Sequence, residues 1–237
     1  MLKITEGILR KTKQPYQVTL LNVSHLKEII KLQNQVYEQL ADKSKLERLS
    51  EDEFNFILSG KGLMIGIDVN NELIAVRALL DPENDPNHLG RAIGLQETDL
   101  DKVIYQEVSF VHPDYQGNGL QKIMAKVIME ELDKTNHSYS YVCATVAPDN
   151  IPSLKDKFYQ KMELKAFVTI YGEKQRYVFA KELNNQKIQN EIIEEKEIRI
   201  NDVHLMNEYL KLNWVGTKLI EKNAQTYIAL VNYSWIK

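Results

Sequence analysis

One cysteine stands among 237 residues. That excludes an internal disulfide and any multi-cysteine zinc site. Cys143 lies inside the apolar run "YVCATV" and reads as a buried structural thiol. Long hydrophobic runs are missing too. No window approaches the roughly 18 consecutive apolar residues of a transmembrane helix, so no membrane partner is expected. The five histidines are scattered without H-E-x-x-H spacing, and no metal site is expected. Excess charge is small: a net −3 gives no general attraction to nucleic acid or to an anionic membrane. The opening segment, "MLKITEGILRKTKQ", alternates apolar and charged residues without a signal-peptide core, so a cytoplasmic, reduced location is the expectation.

What is present is the composition of a globular protein, 43% hydrophobic and 27% charged. "YQVTLL" (16–21) reads as a strand, followed by cap residues at 22–24 and a helix to about Leu40 with the stripe Leu26, Ile29, Ile30, Gln33, Val36 and Leu40. Ser50 and Glu53 have capping-box spacing for a second, short helix. "GLMIGIDV" and "ELIAVRALL" flank Asn70-Asn71, which predicts a hairpin. Residues 81–100 read as a long loop with acidic punctuation.

A strand at 102–111, a helix from Gly119 and the strand "YSYVCATV" come next. A helix with Pro152 in its first turn and two further strands carry the pattern to Leu183. Residues 184–198 are polar and read as a linker. A small α+β extension at 199–237 follows, whose Trp214, Tyr227, Tyr233 and Trp235 are expected to pack on the preceding domain or on a second copy in a homodimer. The order of elements indicates an α/β protein, a mixed sheet with helices on its faces.

The point of handover from strand to helix, "VSFVHPDYQGNGLQKIM" (108–124), holds Gly117 and Gly119. A helix N-terminus offers free N–H groups and the positive end of the helix dipole, and glycines let a phosphate approach the backbone closely. A tight turn without a ligand is the plainer alternative. The spacing is not that of a P-loop, which needs G-x-x-x-x-G-K-[ST]. Nor is it a Rossmann fingerprint, because Lys122 takes the place of the third small residue.

The segment does resemble the acyl-CoA turn of the GNAT N-acetyltransferases, [QR]-x-x-G-x-[GA]. Gln116 fills the first place and Gly119 the fourth, with Gln121 in the last, where a small residue is usual. The element order of 16–183 is similar as well. The resemblance implies a GNAT-like acyl-CoA N-acyltransferase fold for 1–183, with acetyl-CoA as co-substrate and no metal.

It further implies that the amides of Gln116, Gly117, Asn118, Gly119 and Leu120 cradle the CoA phosphates. Backbone groups of Phe110 and Val111 would pair with pantetheine, the Val111 N–H polarising the thioester carbonyl. Since Gln116 is neutral, the amides are expected to supply most of the attraction.

A protonated amine has a pKa near 10.4 and must lose a proton before it attacks. Glu107 is the candidate base; on an ideal strand it shares a face with Ser109 and Val111. An ordinary solvated carboxylate, or a counter-charge for the amine, is the alternative.

The stretch "NIPSLKDKFYQKMEL" resembles the family's helix motif N-x-x-[AS]-x-x-L-Y-x-K-x-G-[FY]. By that likeness Asn150 and Ser153 contact the cofactor and Tyr159 protonates the leaving thiolate. The Asn-to-Tyr spacing is two residues longer than the commonest form, a turn of about 200° on a helix, and Glu163 replaces the usual Gly.

His88 and His112 read as surface or hydrogen-bonded residues, and the acidic loop as solvated charge. The resemblance implies acetyl transfer to a primary amine of a small molecule or peptide through a ternary complex. The other class left open is a non-catalytic acyl-CoA-binding module of the same fold.

Overall fold

The computed structural model describes residues 2–83, 85–170, 172–183 and 191–234. Its elements in chain order begin with β1 (Leu2–Ile8), β2 (Pro15–Leu20), α1 (Leu26–Gln39), α2 (Glu51–Phe56), β3 (Gly62–Val69) and β4 (Glu72–Leu80). Then come α3 (Leu89–Ala92), β5 (Val103–Val111), α4 (Leu120–Asp133), β6 (Tyr141–Val146), α5 (Ile151–Tyr159), β7 (Glu163–Ile170) and β8 (Lys174–Glu182). The chain finishes with β9 (Ile192–Arg199), α6 (Val203–Lys211), β10 (Val215–Lys222) and β11 (Gln225–Tyr233). Two compact units result: Met1–Asp81 with Tyr105–His137, and Pro82–Ile104 with Ser138–Lys237.

The first unit is an antiparallel ladder in the order β1-β2-β3-β4-β5. Asn70 and Asn71 take positive φ (52° and 64°) between β3 and β4, the conformation a two-residue hairpin turn needs. The α1 stripe, Leu26, Ile29, Leu32 and Val36, joins Phe54 and Ile57 in a core against Met64, Val76, Ala78, Val108 and Phe110. The polar member of that stripe, Gln33, is buried and bonded both ways to the Leu49 backbone at 2.9 Å, which fixes the entry to α2. Ser50 and Glu53 form the expected capping box there. Helix α4 packs on β3 and β4, burying Leu120, Met124, Val127, Ile128 and Leu132. Arg77, between the core residues Val76 and Ala78, reaches Gln121 of α4 instead, so α4 takes the opposite face from α1 and α2.

The second unit orders its strands β6-β8-β7-β10-β11-β9. Cys143 is fully buried on β6, and burial pushes its thiol pKa up to about 12. Part of the segment read as a linker is strand: β9 pairs with β11 from Tyr227↔Arg199 to Tyr233↔Ile192. Its polar sequence hid it because it is the last strand of its ladder and is mostly exposed, where charged residues are at home. Residues 184–190 lie outside the described residues. The extension is woven into this unit. Trp214 is buried edge-on to Tyr209 at 5.0 Å, Tyr233 approaches Glu163 at 3.5 Å, and the buried Tyr177 hydroxyl donates to Ile200 O at 3.3 Å. Tyr227 lies between the cations of Arg199 and Lys222, and Trp235 is outside the described residues.

Candidate functional site

The strand-to-helix turn is held by side chains and shaped by two glycines. His112 Nδ1 accepts from Asp114 N–H at 3.3 Å and starts a short 3₁₀ turn at Pro113–Tyr115. Gln116 then donates weakly through Nε2 to Val111 O at 3.5 Å. Gly117 and Gly119 both have φ +79°, a region that costs L-residues roughly 1–2 kcal/mol each. Asn118, between them, is 2% exposed. Its side chain donates to Tyr115 O at 2.8 Å and accepts from Lys11 N–H at 2.9 Å. The side chains of Gln116 and Asn118 are therefore engaged by protein groups, and the turn's approach to a ligand is through backbone amides.

Lys11 belongs to the loop between β1 and β2, where the sequence signalled no element before residue 16. The strand there has no buried residue and carries charges at Lys3 and Glu6, and it forms by pairing with β2 from Leu2↔Leu20 to Ile8↔Pro15. Its tip comes over the glycine turn. A Cβ on Gly117 would stand 2.7 Å from Lys11 Nζ, and one on Gly119 would stand 3.2 Å from the Arg10 guanidinium carbon. Lys11 Nζ donates to Gln116 O at 2.8 Å. Two cations therefore stand beside the amides that were expected to supply most of the attraction. The triplet Arg10, Lys11 and Lys13 in the sequence was the available signal.

Gln121, the residue that departs from the glycine motif, has a structural use. Its side-chain oxygen accepts a short bond from Ser109 Oγ and a weak one from Arg77 Nη1 at 3.5 Å, and Arg77 Nη1 also reaches the Gln121 carbonyl at 3.3 Å. Arg77 is fully buried, and its Nη2 donates to Gln106 Oε1 at 2.7 Å. A polar network thus fills the space between β4, β5 and α4. A small residue at 121 would leave part of it unpaired.

Strand β5 carries a bulge. Val108 pairs with Ala78, but Leu79 pairs with Gln106, so Glu107 is the extra residue. The strand therefore departs from the ideal alternation that put Glu107 on one face with Ser109 and Val111. Ser109 and Gln106 face the Arg77–Gln121 network, whereas Glu107 turns with Val108 to the α1/α2 side. There it lines a pocket of 240 Å³ whose other walls are Leu49, Phe56, Ile57, Leu80 and the carboxyl residues Asp52 and Glu53. Glu53 is committed to the helix cap, accepting from Ser50 N–H at 2.7 Å. Phe110 and Val111 are buried. Because His112 N–H donates to Ile74 O, antiparallel alternation turns the Val111 N–H and C=O to the edge away from β4.

The second unit holds the remaining sequence candidates. Asn150 caps α5, its Oδ1 accepting from Ser153 N–H at 3.2 Å. Tyr159, the last residue of that helix, is 57% exposed, while its neighbour Phe158 packs edge-on against Phe179 at 5.0 Å. His88 is buried and accepts from Gly90 N–H at 3.0 Å, capping α3. Among the described residues no three His, Cys, Asp or Glu side chains are grouped to hold a metal, and no helix is long and apolar enough to cross a membrane.

No protein-family model matches the chain, and no curated protein matches it in sequence. Solved structures do match. The GNAT domain of S. lividans PAT superposes with a TM-score of 0.54 at 16% identity, covering 76% of this chain and 96% of its own. The ribosomal-protein-S18-alanine N-acetyltransferase of Escherichia coli gives 0.54 at 13% identity, covering 73% and 97%. The fold is that of the GNAT acetyltransferases. A third match is yncA of Salmonella typhimurium, solved with its cofactor acetyl-CoA, at 0.53 and 11% identity over 73% and 96%. At these identities the likeness is one of fold, and a shared fold does not by itself set the chemistry.

Proposed function

We propose that this protein transfers the acetyl group of acetyl-CoA to a primary amine of a small molecule or peptide, by direct attack in a ternary complex. The observation that carries this reading is the pair of positive-φ glycines, faced by the flexible Lys11 and Arg10 side chains, at the strand-to-helix turn of a GNAT fold. The donor set fits the cofactor: backbone amides of 116–120 at the start of a 14-residue helix, with the Arg10 and Lys11 cations close by. A relative in fold solved with acetyl-CoA, and another whose name records an alanine N-acetyltransferase, support the reading in kind.

Acetyl-CoA, when bound, supplies an activated acyl carbon and a thiolate leaving group. Glu107 takes the proton from the amine, directly or through water, as the nitrogen forms its bond to the acyl carbon and the C–S bond breaks. The Val111 N–H stabilises the charge that develops on the carbonyl oxygen. Tyr159 returns a proton to the thiolate, and because that hydroxyl is exposed, water can stand in for it. A free thiol has a pKa near 8.5, so the leaving group needs little help. The pocket at Glu107, mostly apolar with carboxyl groups among its walls, favours an amine that enters as a cation beside an apolar group.

The test is thiol release from acetyl-CoA across a panel of amines and N-terminal peptides. Turnover that Glu107→Gln lowers by about 100-fold is expected. Binding of acetyl-CoA with no release for any amine would replace this reading with the binding module.

A further inference from the structure

The tip of the β1–β2 hairpin, "LRKTKQ" (9–14), puts three cations into four residues, Arg10, Lys11 and Lys13. It is a built tip. Leu9 is 1% exposed, its N–H donates to Gln14 O at 2.9 Å, and its carbonyl accepts from Lys13 N–H at 3.1 Å. The buried Asn118 amide ties it to the glycine turn through the Lys11 N–H, and the Lys11 ammonium ties it again through Gln116 O.

This placement is electrostatically odd without an anion. The start of α4 already carries the positive end of the helix dipole, where cations are unfavourable. Among the described residues, no carboxylate lies within ion-pair distance of Arg10 or Lys11. The chain nonetheless holds both cations over the two glycines, with the Lys11 N–H donating to the buried Asn118 side chain. Lys11 spends one of its three ammonium donors on Gln116 O and keeps the others. The neutral Gln116 contributes no charge of its own.

Resting on the acetyl-CoA reading above, we propose that Arg10 and Lys11 are the cationic half of the phosphate site and bind the CoA pyrophosphate. The amides of 117–120 hold the phosphate oxygens by direction, and the hairpin tip neutralises their two negative charges. The hairpin lies ahead of the strand at residue 15 and outside the glycine motif, so the motif alone does not contain the whole site.

The test is calorimetric titration of the full-length protein with CoA, dephospho-CoA and pantetheine, in wild type, Arg10→Gln, Lys11→Gln and Arg10→Lys. Glutamine removes the charge while keeping an unbranched polar side chain and, at 11, the backbone N–H that Asn118 receives. Each Gln variant should bind CoA and dephospho-CoA about tenfold more weakly, by equal factors, with a shallower dependence on salt. Arg10→Lys should recover part of the loss, and pantetheine, which lacks the pyrophosphate, should show no difference among the four proteins.

Unchanged CoA affinity in both Gln variants, with wild type binding normally, overturns the proposal. So does tighter binding, which would make the hairpin a cover over the turn. A loss seen with CoA but not with dephospho-CoA assigns the cations to the 3′-phosphate and overturns the pyrophosphate assignment. No binding of CoA by wild type removes the acetyl-CoA reading itself, and this inference with it. Thermal midpoints of the variants equal to that of wild type exclude misfolding as the cause of any loss.

Discussion

The glycine turn of the first unit and the α5 helix of the second were both read by likeness to family motifs, and they differ in what the structure gives each residue. At the turn, the motif's requirement is on the backbone. Gly117 and Gly119 have the positive φ that only such residues take freely, and nothing but flexible cationic side chains stands where their Cβ atoms would be. At α5, the requirement is on helical phase. Asn150 is a cap, and Tyr159 ends the helix in solvent beside a half-buried Phe158. A requirement on φ is met by the residue in place, whereas one on side-chain direction depends on helical phase, which two extra residues turn by about 200°.

The largest effect expected on the turn side is chemical. Glu107→Gln should lower kcat by about 100-fold with thermal stability little changed, because the side chain sits on a bulge at a pocket wall. A loss in KM alone would assign Glu107 to amine binding. Next comes Gly119→Ala, which forces a Cβ into φ +79° and toward Arg10. It should cost about 1–2 kcal/mol in denaturant unfolding and weaken CoA binding. Equal CoA affinity in the folded variant would leave the turn as a tight connection and nothing more.

Gln121→Ala sharpens the comparison differently, since it introduces the small residue usual at this place of the GNAT turn motif. It should destabilise by about 1–3 kcal/mol by leaving Ser109 and Arg77 short of an acceptor, without tightening CoA binding. Measured stability equal to wild type would mean the network closes without it.

On the α5 side the expected effects shrink. Asn150→Ala should cost about 1 kcal/mol, as loss of a helix cap does. Tyr159→Phe should change kcat by less than about threefold, since water reaches the same place; a general acid shielded from solvent would give roughly a hundredfold.

The buried thiol adds a pH test. Its folded pKa is raised to about 12 from 9.0, so the neutral form's stabilisation is complete below pH 9 and is lost as pH rises toward 12. Stability should fall by about 1.4 kcal/mol per pH unit in that window from Cys143 alone, and less steeply in Cys143→Ala. Tyr177, raised by burial, adds to the fall in the same direction at the upper end.

Much of the first unit was legible because its signals are local. The Ser50–Glu53 box, the Asn70-Asn71 turn and the apolar stripe of α4 each specify geometry within a few residues. What escaped reading depends on partners far away in sequence. Strand β1 exists through its ladder with β2, and β9 through its ladder with β11, so neither needs an apolar pattern of its own. The bulge at Glu107 shows only in the register between β4 and β5, and it moves a candidate base to the opposite face. The contact between Lys11 and Asn118 spans 107 residues, and no short motif contains it.

The most direct test follows the backbone amide resonances of Gly117 and Gly119 while CoA and then pantetheine are titrated into the protein. Large shifts of both glycine amides with CoA, and small ones with pantetheine, are the result the account predicts. CoA that binds while both amides stay unmoved would place the pyrophosphate elsewhere and contradict it.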